Sequence, residues 1–165
     1  MNTAPPSGEC AARVLYADDD CIFRDLVKRA LERLGRHEVC AIDDNANTLK
    51  QAAELQPDVI VLDARLSQRS GLDVLRQLRA PPETAATPAL FCAEFVESEL
   101  REAVRDLNVA AVISKLDLRQ LVAKVQRALN AAKCEAPAFV SGFSEATYPR
   151  QALYATFTAC RGAFI

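Results

Sequence analysis

Pro57-Asp58-Val59-Ile60-Val61-Leu62-Asp63 is the stretch around which this chain is read. The five residues from Asp58 to Leu62 read as a short strand of a parallel sheet, buried because both of its faces are covered. Asp63 closes the strand at its C-terminal end. In an open α/β sheet, ligands bind outside the carboxyl ends of the strands, so an acid there is placed for chemistry. Taken alone, Asp63 fits a cap on the following loop as well as a reactive carboxylate.

On the N-terminal side, Arg13 to Ala17 reads as a second buried strand, running directly into Asp18-Asp19-Asp20. Three acids against an apolar run are costly unless something cationic neutralises them. Ile22, Phe23, Leu26, Val27, Ala30, Leu31 and Leu34 recur at helical spacing, predicting an amphipathic helix over Cys21 to Leu34 that Gly35 stops. Glu38 to Ile42 is a further strand. Asp43-Asp44-Asn45 signals a helix start, with Leu49, Ala52, Ala53 and Leu55 inward, and Pro57 ends that helix.

On the C-terminal side, Ala64 to Ser70 is a loop, and Leu72, Val74, Leu75 and Leu78 place a helix that reaches Ala80 before Pro81-Pro82. Pro88 introduces the strand Ala89 to Ala93. A helix follows over 97–107 with Leu100, Ala103 and Val104 inward, and Asn108 suits the left-handed residue that closes it. Val109 to Ser114 is the fifth strand, Lys115 stands at its end, and Leu116 to Asn130 is the last helix, with Leu121, Val122, Val125 and Leu129 inward.

Five strand–helix alternations predict a doubly wound, five-stranded parallel sheet between two helical layers, an α/β/α sandwich. Asp18, Asp19, Asp63, Ala93 and Lys115 then share one sheet edge. Converging carboxylate oxygens suit a hard divalent cation such as Mg²⁺. With the metal and the Lys115 ammonium balancing phosphoryl oxygens, Asp63 is placed to become an aspartyl phosphate. A plain structural ion pair between Lys115 and Asp63 is the competing reading.

Half of the 165 residues are apolar, enough for one domain with appendages. Twenty basic against 22 acidic residues give a net charge of -2, and hence no electrostatic case for nucleic acid or an anionic membrane. The N-terminus lacks a basic, then apolar, export signal, and no stretch approaches the roughly 18 apolar residues of a membrane span. A cytoplasmic protein is expected. The six cysteines show no C-x-x-C pair, and His37 is the single histidine, so neither zinc nor a disulfide framework is indicated. Cys40 and Cys92 fall in predicted strands, as small hydrophobes. Residues 1–10 read as a flexible leader, 11–132 as the domain, and 133–165 as an extension. Six of the ten aromatic residues lie in the last 27 positions, and a short helix over 149–161 is expected to dock on the domain or on another subunit.

Residues 12–131 resemble the receiver domain of two-component response regulators. The likeness is carried by Val14-Leu15-Tyr16-Ala17-Asp18-Asp19-Asp20, the run from Pro57 to Asp63, Gly71, and Ser114-Lys115, in that order and spacing. It implies a flavodoxin-like (βα)5 fold, with Mg²⁺ held by Asp18, Asp19, Asp63 and the backbone carbonyl of Arg65. It also implies phosphorylation of Asp63 by a histidine kinase or histidine phosphotransfer protein, with Lys115 contacting the phosphoryl group. Such a chain is a phosphoacceptor rather than an enzyme, beyond Mg²⁺-dependent self-phosphorylation and autodephosphorylation, and it signals to a downstream protein. Homodimers through the last helices or the extension are compatible with it. The sequence departs from the family pattern at Ala93, where a hydroxyl residue is usual, and at Val112, where the switch aromatic stands. Leu116 and Ser67 replace usual prolines. Glu94 replaces a small residue, and its charge is expected to repel a phosphodonor. Two readings follow: a stand-alone receiver that accepts phosphate, and a pseudo-receiver acting as a phosphorylation-independent binding module. A DNA-binding regulator lacks both a basic patch and the residues for an output domain.

Overall fold

The computed structural model describes residues 11–43, 48–67, 69–94 and 98–135; the expected leader and the extension beyond 135, with its helix over 149–161, lie outside the described residues. The strands are β1 (Arg13–Ala17), β2 (Glu38–Ile42), β3 (Val59–Asp63), β4 (Ala89–Ala93) and β5 (Val109–Ser114). They form one parallel sheet in the order β2-β1-β3-β4-β5. β3 is central and all five of its residues are buried, because helices cover both faces.

Alternation along each strand divides the core in two. Val14 and Tyr16 of β1, with Val59 and Val61 of β3, face the layer made by α1 (Cys21–Arg33) and α6 (Leu118–Glu135) through Val27, Leu31, Leu121, Val125 and Leu129. Leu15, Ala17, Ile60 and Leu62 face α2 (Thr48–Leu55) and α3 (Gly71–Arg79), where Ala52, Val74, Leu75 and Leu78 are buried. α5 (Ser98–Ala103) leads into a 3-10 turn over Arg105–Leu107, and Val104 between them packs into this second cluster. Asn108 adopts the expected left-handed conformation, φ 52°.

Several expectations need correction. Pro81-Pro82 does end α3, but Pro82 also starts a one-turn helix, α4 (Pro82–Ala85), since proline suits a first helical position. The guanidinium of Arg79 holds this connection, donating to the carbonyls of Thr84, Ala85, Thr87, Leu107 and Asn108 at 2.6–3.3 Å. α6 begins two residues late because Asp117 caps it, accepting from Gln120 N–H at 2.9 Å, and it runs on to Glu135. Ala53 and Ala103, expected inward, are exposed. On α1 the inward face is narrower than its apolar residues suggest: Val27, Ala30 and Leu31 are buried, whereas Ile22, Leu26 and the C-cap residue Leu34 are 74%, 45% and 64% exposed.

Candidate functional site

The C-terminal ends of β1, β3 and β5 bring the expected acids and lysine together. Asp18 follows β1 and is fully buried, its N–H bonded to Ile42 O at 3.1 Å. Asp63 ends β3, and Lys115 follows β5, its N–H bonded to Ala93 O at 2.8 Å. Lys115 Nζ, on a side chain 4% exposed, reaches Asp18 Oδ2 at 2.7 Å and Asp63 Oδ2 at 2.8 Å. Its ammonium also lies 5.1 Å from the centre of the Phe23 ring. One ammonium therefore serves two carboxylates, which the simple Lys115–Asp63 pair did not anticipate.

Asp19 is exposed, at the mouth. Carboxylate oxygens of Asp18, Asp19 and Asp63 lie within 4.8 Å of one another. Three carboxylates against one ammonium leave two formal negative charges, and an all-oxygen set of this kind fits a small divalent cation. Asp20, the third acid of the run, does other work: it caps α1, accepting from Ile22 N–H at 2.8 Å and Phe23 N–H at 3.2 Å.

Electrostatics follow from burial and crowding. Burial raises the Asp63 carboxyl above its ordinary range; hydrogen bonding and charge from Lys115 pull it down, and Asp18 adds repulsion. Burial works to lower Lys115, but its hydrogen bonds to Asp18 and Asp63 prevail and hold the ammonium above its ordinary value. Cys92, beside Asp63 in the sheet, is pushed up to about 12, chiefly by burial, so it is an inert thiol.

The rim carries the departures. Ala93 is buried and offers no hydroxyl, and Val112 packs as a partly buried aliphatic against the α2/α3 cluster. Ser114 is the sheet partner of Ala93, but its hydroxyl is engaged locally, with Leu116 N–H at 3.3 Å and Glu94 O at 3.4 Å. Leu116 is 73% exposed and Ser67 is also exposed. Arg65 N–H donates to Asp63 Oδ1 at 3.3 Å, which sets its peptide on the rim. The Glu94 charge does not stand alone as expected: it meets Arg65 Nη2 at 3.3 Å. Gly71 is required by close approach, because a Cβ there would overlap the Asp63 carbonyl oxygen and stand 3.0 Å from Phe91.

Two site residues escaped the sequence reading. Arg24 Nη1 donates to the Asp18 carbonyl at 2.8 Å. The Tyr16 hydroxyl donates to Asp18 Oδ2 from within the core. The available signal was a phenol among aliphatic strand residues, two positions before a buried acid.

A parallel five-stranded α/β/α sheet with an acidic pocket and a lysine at its carboxyl edge defines a phosphoacceptor class of signalling domain. Residues 14–126 match the response regulator receiver domain, and the chain belongs to that family of two-component signal transduction. It is 32% identical over 126 residues to transcriptional regulatory protein PrrA of Mycobacterium leprae, covering 74% of this chain and 52% of that one. It is 30% identical over 118 residues to regulatory protein AtoC of Escherichia coli, covering 71% and 25%. The chain thus spans about half or less of these relatives. The signal receiver domain of the response regulator NarL from Mycobacterium tuberculosis superposes with a TM-score of 0.61 at 28% identity, covering 74% of this chain and 97% of that one. Vibrio cholerae chemotaxis protein CheY4 shares the fold, with a TM-score of 0.67 at 23% identity over 72% and 99%.

Proposed function

We propose that this chain is a receiver that accepts a phosphoryl group on Asp63 from a histidine kinase or histidine phosphotransfer protein and passes its state on by protein contact. The observation that carries this reading is the buried Lys115 ammonium set between Asp18 and Asp63, next to the acidic mouth at Asp19. Asp18, Asp19, Asp63 and the Arg65 carbonyl are the residues that would hold Mg²⁺. Bound there, the cation supplies charge neutralisation for an incoming phosphoryl group. Asp63 contributes the attacking carboxylate oxygen, and Lys115 is close enough to exchange its carboxylate partner for a phosphoryl oxygen. Ile22 and Leu26 of α1 and Leu116, all exposed, flank this edge and support docking of the donor protein there. No described helix is long and apolar enough to cross a membrane, which is compatible with a cytoplasmic relay.

Ala93 and Val112 favour a second reading, a binding module that keeps the pocket without responding to phosphate. Intact-mass spectrometry after incubation with Mg²⁺ and acetyl phosphate, beside Asp63→Asn, separates the two. A phosphate-sized gain absent from D63N is expected. No gain, either with acetyl phosphate or with a phosphorylated histidine phosphotransfer protein, would favour the binding module.

A further inference from the structure

Tyr16 lies in the middle of β1, fully buried, with its ring among Val14, Val27, Leu31, Val61, Cys92 and Leu121. Volume alone asks only for an aliphatic residue there. A buried phenol must also find a partner for its hydroxyl, and partners for buried hydroxyls are usually backbone or water. Here the partner is Asp18 Oδ2, a carboxylate oxygen at the floor of the pocket. A phenol keeps its proton at neutral pH, so the hydroxyl donates and the carboxylate oxygen accepts.

Asp18 is then held from three sides. Asp20 N–H donates to Oδ1 at 2.9 Å, and Tyr16 and Lys115 both donate to Oδ2. The two donors to Oδ2 differ in kind. Lys115 reaches in on a flexible four-carbon stem, whereas the Tyr16 ring is fixed by sheet packing and has few rotatable bonds. When Lys115 turns to another anion, the phenol still holds Oδ2.

Resting on the receiver reading above, we propose that Tyr16 is a positioning residue: its hydroxyl fixes the Asp18 carboxylate so that Asp18, Asp19 and Asp63 share one divalent cation. Hydrogen-bond partners of metal ligands orient the ligand, and losing one typically weakens metal binding about 10- to 100-fold.

The test is Mn²⁺ binding to the full chain and to Tyr16→Phe, followed by electron paramagnetic resonance of the free ion, with urea unfolding of both proteins without metal. Affinity in Y16F is expected to fall about 10- to 100-fold. A phenol with only a structural role would shift the urea midpoint and leave affinity within twofold, which would overturn the proposal. If the native chain binds no Mn²⁺, the receiver reading fails and this inference with it; if the native chain and Y16F bind alike, only this inference fails. Should Y16F not fold, ¹⁹F NMR of the native chain labelled with 3-fluorotyrosine decides, the Tyr16 line being assigned by elimination against Y148F and Y154F. That line is expected to shift as Mg²⁺ is added; a line unmoved at saturating Mg²⁺ would overturn the proposal.

Discussion

Lys115 does at residue scale what no other described cation does at this edge: it offsets two buried acids at once. Removing one member of a buried charged set leaves the others uncompensated, a cost of about 3–5 kcal/mol. Lys115→Met is therefore expected to lower stability to urea by that amount in metal-free buffer, with Mg²⁺ returning part of the loss. Unfolding curves that coincide with the native ones would show that the ammonium holds nothing in place. Gly71 constrains the same site through space. A methyl group at Gly71→Ala drives into the Asp63 carbonyl, and overpacking of this kind costs about 1–3 kcal/mol. The urea midpoint is expected to fall and the phosphate-sized mass gain to slow with it; a fully native G71A would mean that the β3–α3 loop yields freely.

Elements meet at connections that carry their own chemistry. Between α1 and β2, His37 is buried, its N–H bonded to Leu31 O at 3.3 Å, and its Nε2 has no partner among the described residues. Burial holds its pKa below the ordinary value of 6.5. The unfolded chain therefore takes up a proton near pH 6.5 while the folded chain still resists, so the unfolded state gains as pH falls. The contribution of a neutral His37 is complete above about pH 7.5 and is lost downward through pH 6.5 towards the lower, folded value. Between pH 7.5 and 5.5 the urea midpoint of the native chain is expected to drop further than that of His37→Gln. Equal drops would place the pH sensitivity elsewhere. Before β4 and β5, Arg79 supplies hydrogen bonds to five carbonyls between α3 and β5, a task that lysine, with a single nitrogen, could not perform.

Across the whole molecule, the question is whether an event at Asp63 reaches a distant surface. A hydroxyl at position 93 would add a charge-assisted hydrogen bond of about 1.5–3 kcal/mol, and moving a two-state equilibrium from 1:99 to 99:1 takes about 5.5 kcal/mol. With Ala93 that bond is absent, and Val112 brings no aromatic ring to swing. Phosphorylation of the native chain is thus expected to alter amide exchange over β5 weakly, and phosphorylation of Ala93→Thr to alter it more. Identical exchange in both would mean that the signal leaves the pocket by another route.

The strands and the acid edge were legible from sequence because their causes are local. Short apolar runs ending in Asp18, Asp63 and Lys115 carry burial and chemistry in the same few residues, and alternation with helices leaves one sheet edge for all three. The family likeness added roles to those positions. Other features have partners distant in sequence, which no local pattern records. Ile22 and Leu26 fit an apolar helical stripe, yet α1 is flanked so that Val27 and Leu31 alone reach the sheet side with Ala30. The sharing of Lys115 between two acids spans separations of 97 and 52 residues, the first being 115 less 18 and the second 115 less 63. The turn of the Tyr16 hydroxyl onto Asp18 depends on side-chain packing inside one face of the sheet. By itself the sequence determined which residues stand at the strand ends, since hydrophobic runs and breakers act within a few positions. Only the tertiary structure decided which atoms those residues offer one another, because that depends on sheet order and on the packing of layers that meet after long loops close.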